Sequence, residues 1–214
     1  MTRIKVCFWV LCIALTGLWL AADPIHSSVT PFAQTRLSLI FYTGIVATGA
    51  MSVSMILAVR SRSLETGLGG LDKSYRLHKW LGVATLVMAV AHWSWISGQG
   101  LFTSIGWIPP QGRQRAAEAA SSGLVAMLAT LQSPAQLVGL WCFFALVVLV
   151  VLALLGWFPY RWFLKTHRVL AIVFLLLVFH SVVLMKTAYW TQPISYVMVV
   201  LMAAGSLSAV IVLF

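Results

Sequence analysis

Charged residues are scarce in this sequence of 214 residues: Asp, Glu, Lys and Arg make up only 8%, and hydrophobic residues 61%. A soluble globular domain carries about 25% charged residues, so the composition excludes that class and is typical of an integral membrane protein. Only four residues are acidic, and all of them lie outside the long apolar runs: Asp23, Glu65, Asp72 and Glu118. A proton relay across a membrane usually needs carboxylates inside such runs, so the pattern argues against ion transport.

Thiols are few as well, and the three cysteines (Cys7, Cys12 and Cys142) form no Cys-x-x-Cys motif. They lie in apolar runs and are predicted to pack there as small apolar side chains. Zinc sites usually combine thiolates or histidines that lie close in sequence, so this chain fits a zinc protein poorly. Walker and Gly-x-Gly-x-x-Gly patterns are also missing from the sequence, which therefore contains no recognisable nucleotide-binding motif.

Six apolar runs of about 17–23 residues are each long enough to cross a bilayer as a helix. They lie at roughly Val6–Ala22, Leu37–Val59, Trp80–Ser97, Gln136–Phe158, Val169–Lys186 and Ile194–Phe214. The predicted fold is an all-α integral membrane protein in which residues 1–214 form one six-helix transmembrane bundle. The first run, preceded by Arg3 and Lys5, also fits a cleavable signal peptide, and this alternative stays open.

Basic residues are distributed unevenly between the two sides of the predicted bundle. One side holds only Arg36, Arg113, Arg115 and Lys186; the other holds Arg3, Lys5, Arg60, Arg62, Lys73, Arg76, Lys79, Arg161, Lys165 and Arg168. This bias predicts that the basic side is cytoplasmic, with both termini there. The net charge of +10 then reflects topology, and nucleic acid is not expected as a partner.

Four of the five histidines form two pairs, His78 with His92 and His167 with His180, each on its own apolar segment. The separations of 14 and 13 residues correspond to roughly 20 Å along a helix, about two-thirds of the hydrocarbon core. Two facing helices would bring histidines together at two levels, and neutral imidazole is a normal axial ligand of haem iron. The spacing therefore predicts two haems, one above the other.

Helix geometry supports one of these spacings better than the other. Fourteen residues return to within roughly 40° of the starting direction, so His78 and His92 share a face. Thirteen residues leave an offset of roughly 140° in a straight helix. His167 and His180 are therefore expected to face the same interior only if their helix is irregular or its first turn is unwound.

Two segments carry a resemblance to a known family. LDKSYRLHK, with a second histidine after thirteen intervening residues, resembles the third transmembrane helix of ferric reductases and NADPH oxidases. THR…FH, with twelve intervening residues, resembles their fifth helix. The resemblance implies that His78 and His167 ligate an inner haem b, and His92 and His180 an outer one. It also implies electron transfer from cytosolic NAD(P)H, through FAD and the two haems b, to a small external acceptor such as a ferric chelate or oxygen.

The resemblance leaves the donor and the acceptor open. Relatives continue from the sixth helix into a dehydrogenase domain that binds FAD and NAD(P)H, so these cofactors are expected on a missing domain or a separate partner. Where oxygen-reducing relatives tend to carry another histidine, this chain has Ile96, which disfavours superoxide production. Two alternatives stay open: a stand-alone haem b subunit feeding a periplasmic reductase of the methionine sulfoxide type, and a non-redox transporter or assembly protein.

Three further residues are candidates for the cofactor site, and no catalytic residue is predicted. Arg36 is a candidate to approach the outer haem propionates or an acceptor, with ordinary interfacial anchoring as the alternative. Arg76 is a candidate to pair haem propionates or to dock a dehydrogenase, and the topology alone would also explain it. Phe174 lies about midway between His167 and His180 in the sequence and is a candidate for a position between the haems. The expected location is the inner membrane of a bacterium, where the chain would be the membrane domain of an oxidoreductase.

Overall fold

The computed structural model describes residues 2–23, 32–107, 124–157 and 159–214, without the side chains of residues 124–129. The described residues are almost entirely helical. Eight α-helices and one short 3-10 helix (Thr187–Thr191) account for them: α1 Thr2–Ala22, α2 Phe32–Ala58, α3 Arg62–Leu68, α4 Leu71–Ser97, α5 Gln99–Ser104, α6 Leu124–Leu154, α7 Tyr160–Leu184 and α8 Pro193–Leu213.

Six of these helical segments are long and apolar enough to span a membrane, and each contains one predicted apolar run or most of it. They are Thr2–Ala22, Phe32–Ala58, Leu71–Ser104, Thr130–Leu154, Tyr160–Leu184 and Pro193–Leu213. The prediction of an all-helical membrane protein with six candidate spans is therefore confirmed. Much of the large apolar surface is exposed, for example on Trp141 and Val200, as lipid-facing helices require.

Helices α4 and α7 begin nine residues earlier than their apolar runs, at Leu71 rather than Trp80 and at Tyr160 rather than Val169. Each of these apolar runs is preceded by a basic residue, which marks its boundary by hydropathy. Lys and Arg nevertheless favour helix and tolerate the membrane interface. The helices therefore continue through these basic turns. As a result His78 and His167 lie inside regular helix, each seven residues after its helix begins.

Helix α6 also begins before its predicted span. The sequence between residues 113 and 132 suggests an external helix lying on the membrane surface, and residues 113–123 of that segment lie outside the described residues. From Leu124 onward the chain already belongs to α6, which continues through Pro134 to Leu154. The second half of the expected surface helix is therefore the first part of α6.

Helix α2 is the centre of the bundle and packs against α1, α4, α7 and α8, whereas α6 packs mainly against α7. Small residues along α2, such as Gly49 and Ser52, let its neighbours approach closely. Helices α4 and α7 are not among the closely packed pairs. They are instead bridged by the side chains of the candidate site.

The two ends of the bundle are held differently. At the basic end, where α1, α4 and α7 begin, Arg3 donates to the Gly67 carbonyl at 3.4 Å. Helix α3 ends there at Leu68, and the next residue, Gly69, has a positive φ of 91°, which suits a glycine just after a helix. At the opposite end the Asp23 carboxylate accepts from Ser38 at 2.9 Å, Tyr189 at 2.7 Å and Lys186 at 3.2 Å. This Asp23 cluster joins α1, α2, the end of α7 and the 3-10 helix.

Candidate functional site

The four membrane histidines meet in two pairs between α4 and α7. In the inner pair the ring centroids of His78 and His167 are 5.8 Å apart, with an interplanar angle of 61°. In the outer pair the centroids of His92 and His180 are 6.4 Å apart, at 82°. Helices α4 and α7 therefore run in the same direction, and the structure brings together the same histidines that the family resemblance pairs.

Each ring of the outer pair is held by a backbone carbonyl of a neighbouring helix. His92 donates through Nδ1 to the Ile40 carbonyl of α2 at 2.9 Å, with the Thr43 hydroxyl 3.3 Å from the same nitrogen. His180 donates through Nδ1 to the Ala135 carbonyl of α6 at 2.8 Å. A helix carbonyl has a second lone pair beyond its own helical bond, so it can accept such a donor.

The inner pair is held less symmetrically. His78 donates through Nδ1 to the Ser54 carbonyl of α2 at 3.0 Å. The Nδ1 of His167 is buried and has no hydrogen-bond partner among the described residues. The His167 ring is instead stacked on Phe163, one turn earlier in α7, with centroids 4.9 Å apart and planes at 20°.

These hydrogen bonds determine which ring nitrogen can act as a ligand. A carbonyl oxygen only accepts, so Nδ1 of His78, His92 and His180 carries the proton. In a neutral imidazole the other nitrogen, Nε2, then keeps its lone pair. A hydrogen bond to the remote nitrogen also orients the ring and makes it a better ligand. Three of the four rings are thus prepared to bind a metal through Nε2.

The spacing of thirteen residues on α7 does not require the irregular helix that the sequence suggests. Helix α7 is continuous from Tyr160 to Leu184, so that expectation is wrong. The two histidines leave α7 on different sides: His180 reaches toward α6, where it meets Ala135, while His167 lies over Phe163 of its own helix. Because a histidine ring lies several ångströms from its helix axis, both rings still reach α4.

The layer between the two pairs is apolar and closely packed. Phe174 is fully buried in it, and a Cβ on Gly205 of α8 would lie 2.7 Å from the Phe174 ring. Other buried members come from α2, α6, α7 and α8: Met51, Met55, Cys142, Leu146, Val150, Leu170, Ala171, Val173 and Ala209. Apolar side chains thus form the layer between the inner and outer levels.

The two candidate arginines lie at opposite ends of α4. Arg36, only 6% exposed, donates to the Trp95 carbonyl at 2.8 Å and to the Ile96 carbonyl at 3.2 Å. It thus caps the end of the helix that carries His92. Arg76 lies on the exposed first part of α4 and pairs with Asp72 at 3.4 Å. The predicted role of both arginines at haem propionates stays a prediction.

A family model described as the ferric reductase-like transmembrane component matches residues 43–178. The chain belongs to this family. The matched segment is more than half of the chain and includes His78, His92 and His167; His180 follows two residues after it ends. Searches among curated proteins and among solved structures gave no match.

Family membership makes this chain the membrane component of an oxidoreductase and points to transmembrane electron transfer. It thereby confirms the family resemblance that rests on the two histidine spacings. Sequence reasoning missed the carbonyl partners of the rings and the Asp23 cluster. The carbonyls leave no mark in a sequence, but Asp23 was visible as an acidic residue at the end of an apolar run.

Proposed function

We propose that the chain transfers electrons across the membrane through two haem b groups. The inner one would be held by His78 and His167 and the outer one by His92 and His180. Each bound haem would supply a one-electron iron couple at its level of the membrane. The chain's own residues hold the ligands in place, space the two levels and keep water out.

The observation that carries this proposal is the separation of the paired rings. An imidazole nitrogen lies about 2 Å from a bound first-row metal, so two imidazoles on opposite sides of one metal have centroids about 6 Å apart. The inner centroids are 5.8 Å apart and the outer ones 6.4 Å. The two imidazoles of each pair would therefore hold one haem iron.

The donor set favours haem over a metal ion held by protein ligands alone. Within the described residues no three His, Cys, Asp or Glu side chains come together at a possible metal site. Zinc and similar ions need three or four protein ligands. Haem iron takes only its axial ligands from the protein, so isolated histidine pairs suit it.

Spacing and packing suit electron transfer between the two sides. The fourteen residues from His78 to His92 correspond to about 21 Å along α4, which spans most of the hydrocarbon core. The layer around Phe174 fills the space between the levels with apolar side chains. With only one level in place, most of the membrane would remain to be crossed.

The surface near the inner pair suits a cytosolic electron donor. Five basic side chains surround the first turns of α4 and α7 and are exposed: Arg76, Lys79, Arg161, Lys165 and Arg168. Such a surface attracts an acidic docking face and speeds association at low salt. We propose that a flavodehydrogenase carrying FAD and NAD(P)H, fused or separate, donates there, and that a ferric chelate or another small acceptor is reduced at the opposite side.

The test is a count of haems in the purified chain and in single-histidine variants. Wild type is expected to bind about two low-spin haems b per chain by the pyridine haemochrome method. His92→Ala and His180→Ala should remove one spectral component, and His78→Ala and His167→Ala the other. His26→Ala is the matched control and should keep both.

Two outcomes would contradict the proposal. Well-folded, haem-supplied wild type with no bound haem would favour the non-redox alternative. Loss of the same spectral component from His78→Ala and His92→Ala would show that the pairing is wrong.

A further inference from the structure

The carbonyls that hold the outer pair lie in helices, where the neighbouring side chains normally cover them. In an α-helix each Cα–Cβ bond tilts toward the N-terminus, so a side chain covers the turn before its own Cα. The carbonyl of residue i is therefore overlaid by the side chain of residue i+4. A ring from another helix can therefore lie close over that carbonyl most easily where residue i+4 is small.

Both acceptors of the outer pair are followed by glycine at this position. The Ile40 carbonyl is followed by Gly44, and the Ala135 carbonyl by Gly139. A Cβ on Gly44 would lie 3.2 Å from Cε1 and 3.3 Å from Nδ1 of His92. A Cβ on Gly139 would overlap the ring of His180 outright. Each imidazole thus occupies the space that a side chain would take.

Backbone conformation does not explain these two glycines. The glycines with positive φ among the described residues are Gly69, Gly70 and Gly106, so Gly44 and Gly139 are in conformations open to any residue. Within a helix alanine is favoured over glycine. The reason for glycine at both positions is therefore the space it leaves for the ring.

The inner pair lacks this arrangement. The Ser54 carbonyl that accepts from His78 is followed at the same offset by Ala58, which carries a Cβ. His167 has no carbonyl partner within the described part of the chain. A glycine four residues after the accepting carbonyl is thus found only at the outer pair among the described residues. Replacing such a glycine should therefore affect the outer haem and not the inner one.

We propose that Gly44 and Gly139 are positioning residues that seat the imidazoles of His92 and His180 on the carbonyls of α2 and α6. This inference rests on the proposed function, since it assigns these glycines a role in holding the outer haem. With a Cβ at Gly139 the His180 ring must leave the Ala135 carbonyl and move relative to His92. With a Cβ at Gly44 the His92 ring must shift by a few tenths of an ångström.

The experiment compares Gly139→Ala and Gly44→Ala with wild type, with His180→Ala as the reference for loss of the outer haem. Gly67→Ala and Gly17→Ala are the controls, because a Cβ at either position would meet no neighbouring atom within 4 Å. The readouts are haem per chain, the low-spin electron paramagnetic resonance signals, and transfer of haem to apomyoglobin. Folding is checked by far-ultraviolet circular dichroism and size-exclusion chromatography.

Gly139→Ala is expected to lose the component that His180→Ala loses and to keep the other. Gly44→Ala is expected to keep both haems but to hold the outer one up to about 10-fold more weakly, the low end of the effect of losing a hydrogen-bonding partner of a metal ligand, because the ring shifts but keeps its carbonyl. Both controls should match wild type. If Gly139→Ala does not fold, Gly44→Ala decides the matter by the same transfer measurement.

Unchanged signals and unchanged haem transfer in the folded Gly139→Ala or Gly44→Ala variant would overturn the inference, as would equal loss of both haems. Failure of the proposed function looks different: the wild type itself would then bind no haem. If the wild type binds both haems and the two glycine variants bind them equally well, the role of Gly44 and Gly139 is refuted while the proposed function stands.

Discussion

Replacing Asp23 by alanine removes the carboxylate that joins α1, α2 and the 3-10 helix at the end of the bundle opposite the basic end. The largest cost comes from Tyr189, which is only 1% exposed and would lose the acceptor of its hydroxyl. A buried donor left without a partner costs about 1–3 kcal/mol. Lys186 is 37% exposed, so its ion pair adds at most about 1 kcal/mol. We therefore expect a loss of about 3 kcal/mol in unfolding free energy.

The measurement is unfolding by sodium dodecyl sulfate in mixed micelles, followed by circular dichroism. Asp72→Ala is the matched control, because it also removes a carboxylate paired with a basic residue, but at an exposed site. An exposed i,i+4 pair is worth about 0.5 kcal/mol or less. The reasoning is refuted if Asp23→Ala is no less stable than Asp72→Ala.

The same substitution has a pH signature. Burial alone would raise the pKa of Asp23, but hydrogen bonds from Tyr189, Ser38 and Lys186 outweigh it and hold the pKa of this carboxyl below its ordinary value of 3.8. A lowered pKa contributes stability above the ordinary value, and that contribution is lost as the pH falls through the lowered one. The difference between wild type and Asp23→Ala should therefore be constant near neutral pH and shrink below about pH 4.

Three further predictions concern the candidate site. Arg36→Met should lower the unfolding free energy by about 2 kcal/mol, because two carbonyls at the end of α4 lose their donor. It should also lower the content of the outer haem. A variant that is as stable as wild type and binds both haems would show that Arg36 is dispensable. Phe174→Ala should lower the unfolding free energy by about 3–5 kcal/mol in the same assay, because it leaves a cavity in the layer between the pairs. Phe174→Leu should fold and keep both haems but slow the reduction of the outer haem in stopped-flow experiments. An unchanged reduction rate would place Phe174 outside the electron path. The chain alone in liposomes should not oxidise NAD(P)H, but it should pass electrons from chemically reduced haem to a ferric chelate on the other side of the membrane. Adding a flavodehydrogenase should allow NAD(P)H to drive this reduction. Oxidation of NAD(P)H by the chain alone at enzyme-like rates would contradict the need for a partner.

Apolar runs located the six spans but misplaced the ends of several helices. An apolar run identified by hydropathy ends at the first charged residue, whereas a helix ends where its backbone hydrogen bonds end. This is why α4 and α7 include basic turns that the runs exclude. The inner histidines lie just beyond those predicted boundaries, although their spacing from the outer histidines already treats them as part of the same helices.

The histidine spacings indicated which residues form the site but not what holds them. An ideal-helix projection predicted that His167 and His180 require an irregular helix, because it treats a side chain as a direction from the axis and neglects its reach. The contact of His180 with Ala135 and Gly139 joins residues more than forty positions apart. No local pattern in the sequence indicates such a contact.

The use of main-chain acceptors has a consequence for mutational tolerance. Any residue at positions 40, 54 and 135 has the same backbone carbonyl oxygen. Substitutions there should therefore leave the orientation of the bound imidazole ring intact as long as the helix persists. The bonds to His92, His78 and His180 should therefore survive any substitution at these three positions that the packing allows, with size limited at Ser54 and Ala135 because both are buried. The constraint would emerge instead at positions 44 and 139, where any side chain competes with an imidazole for the same volume.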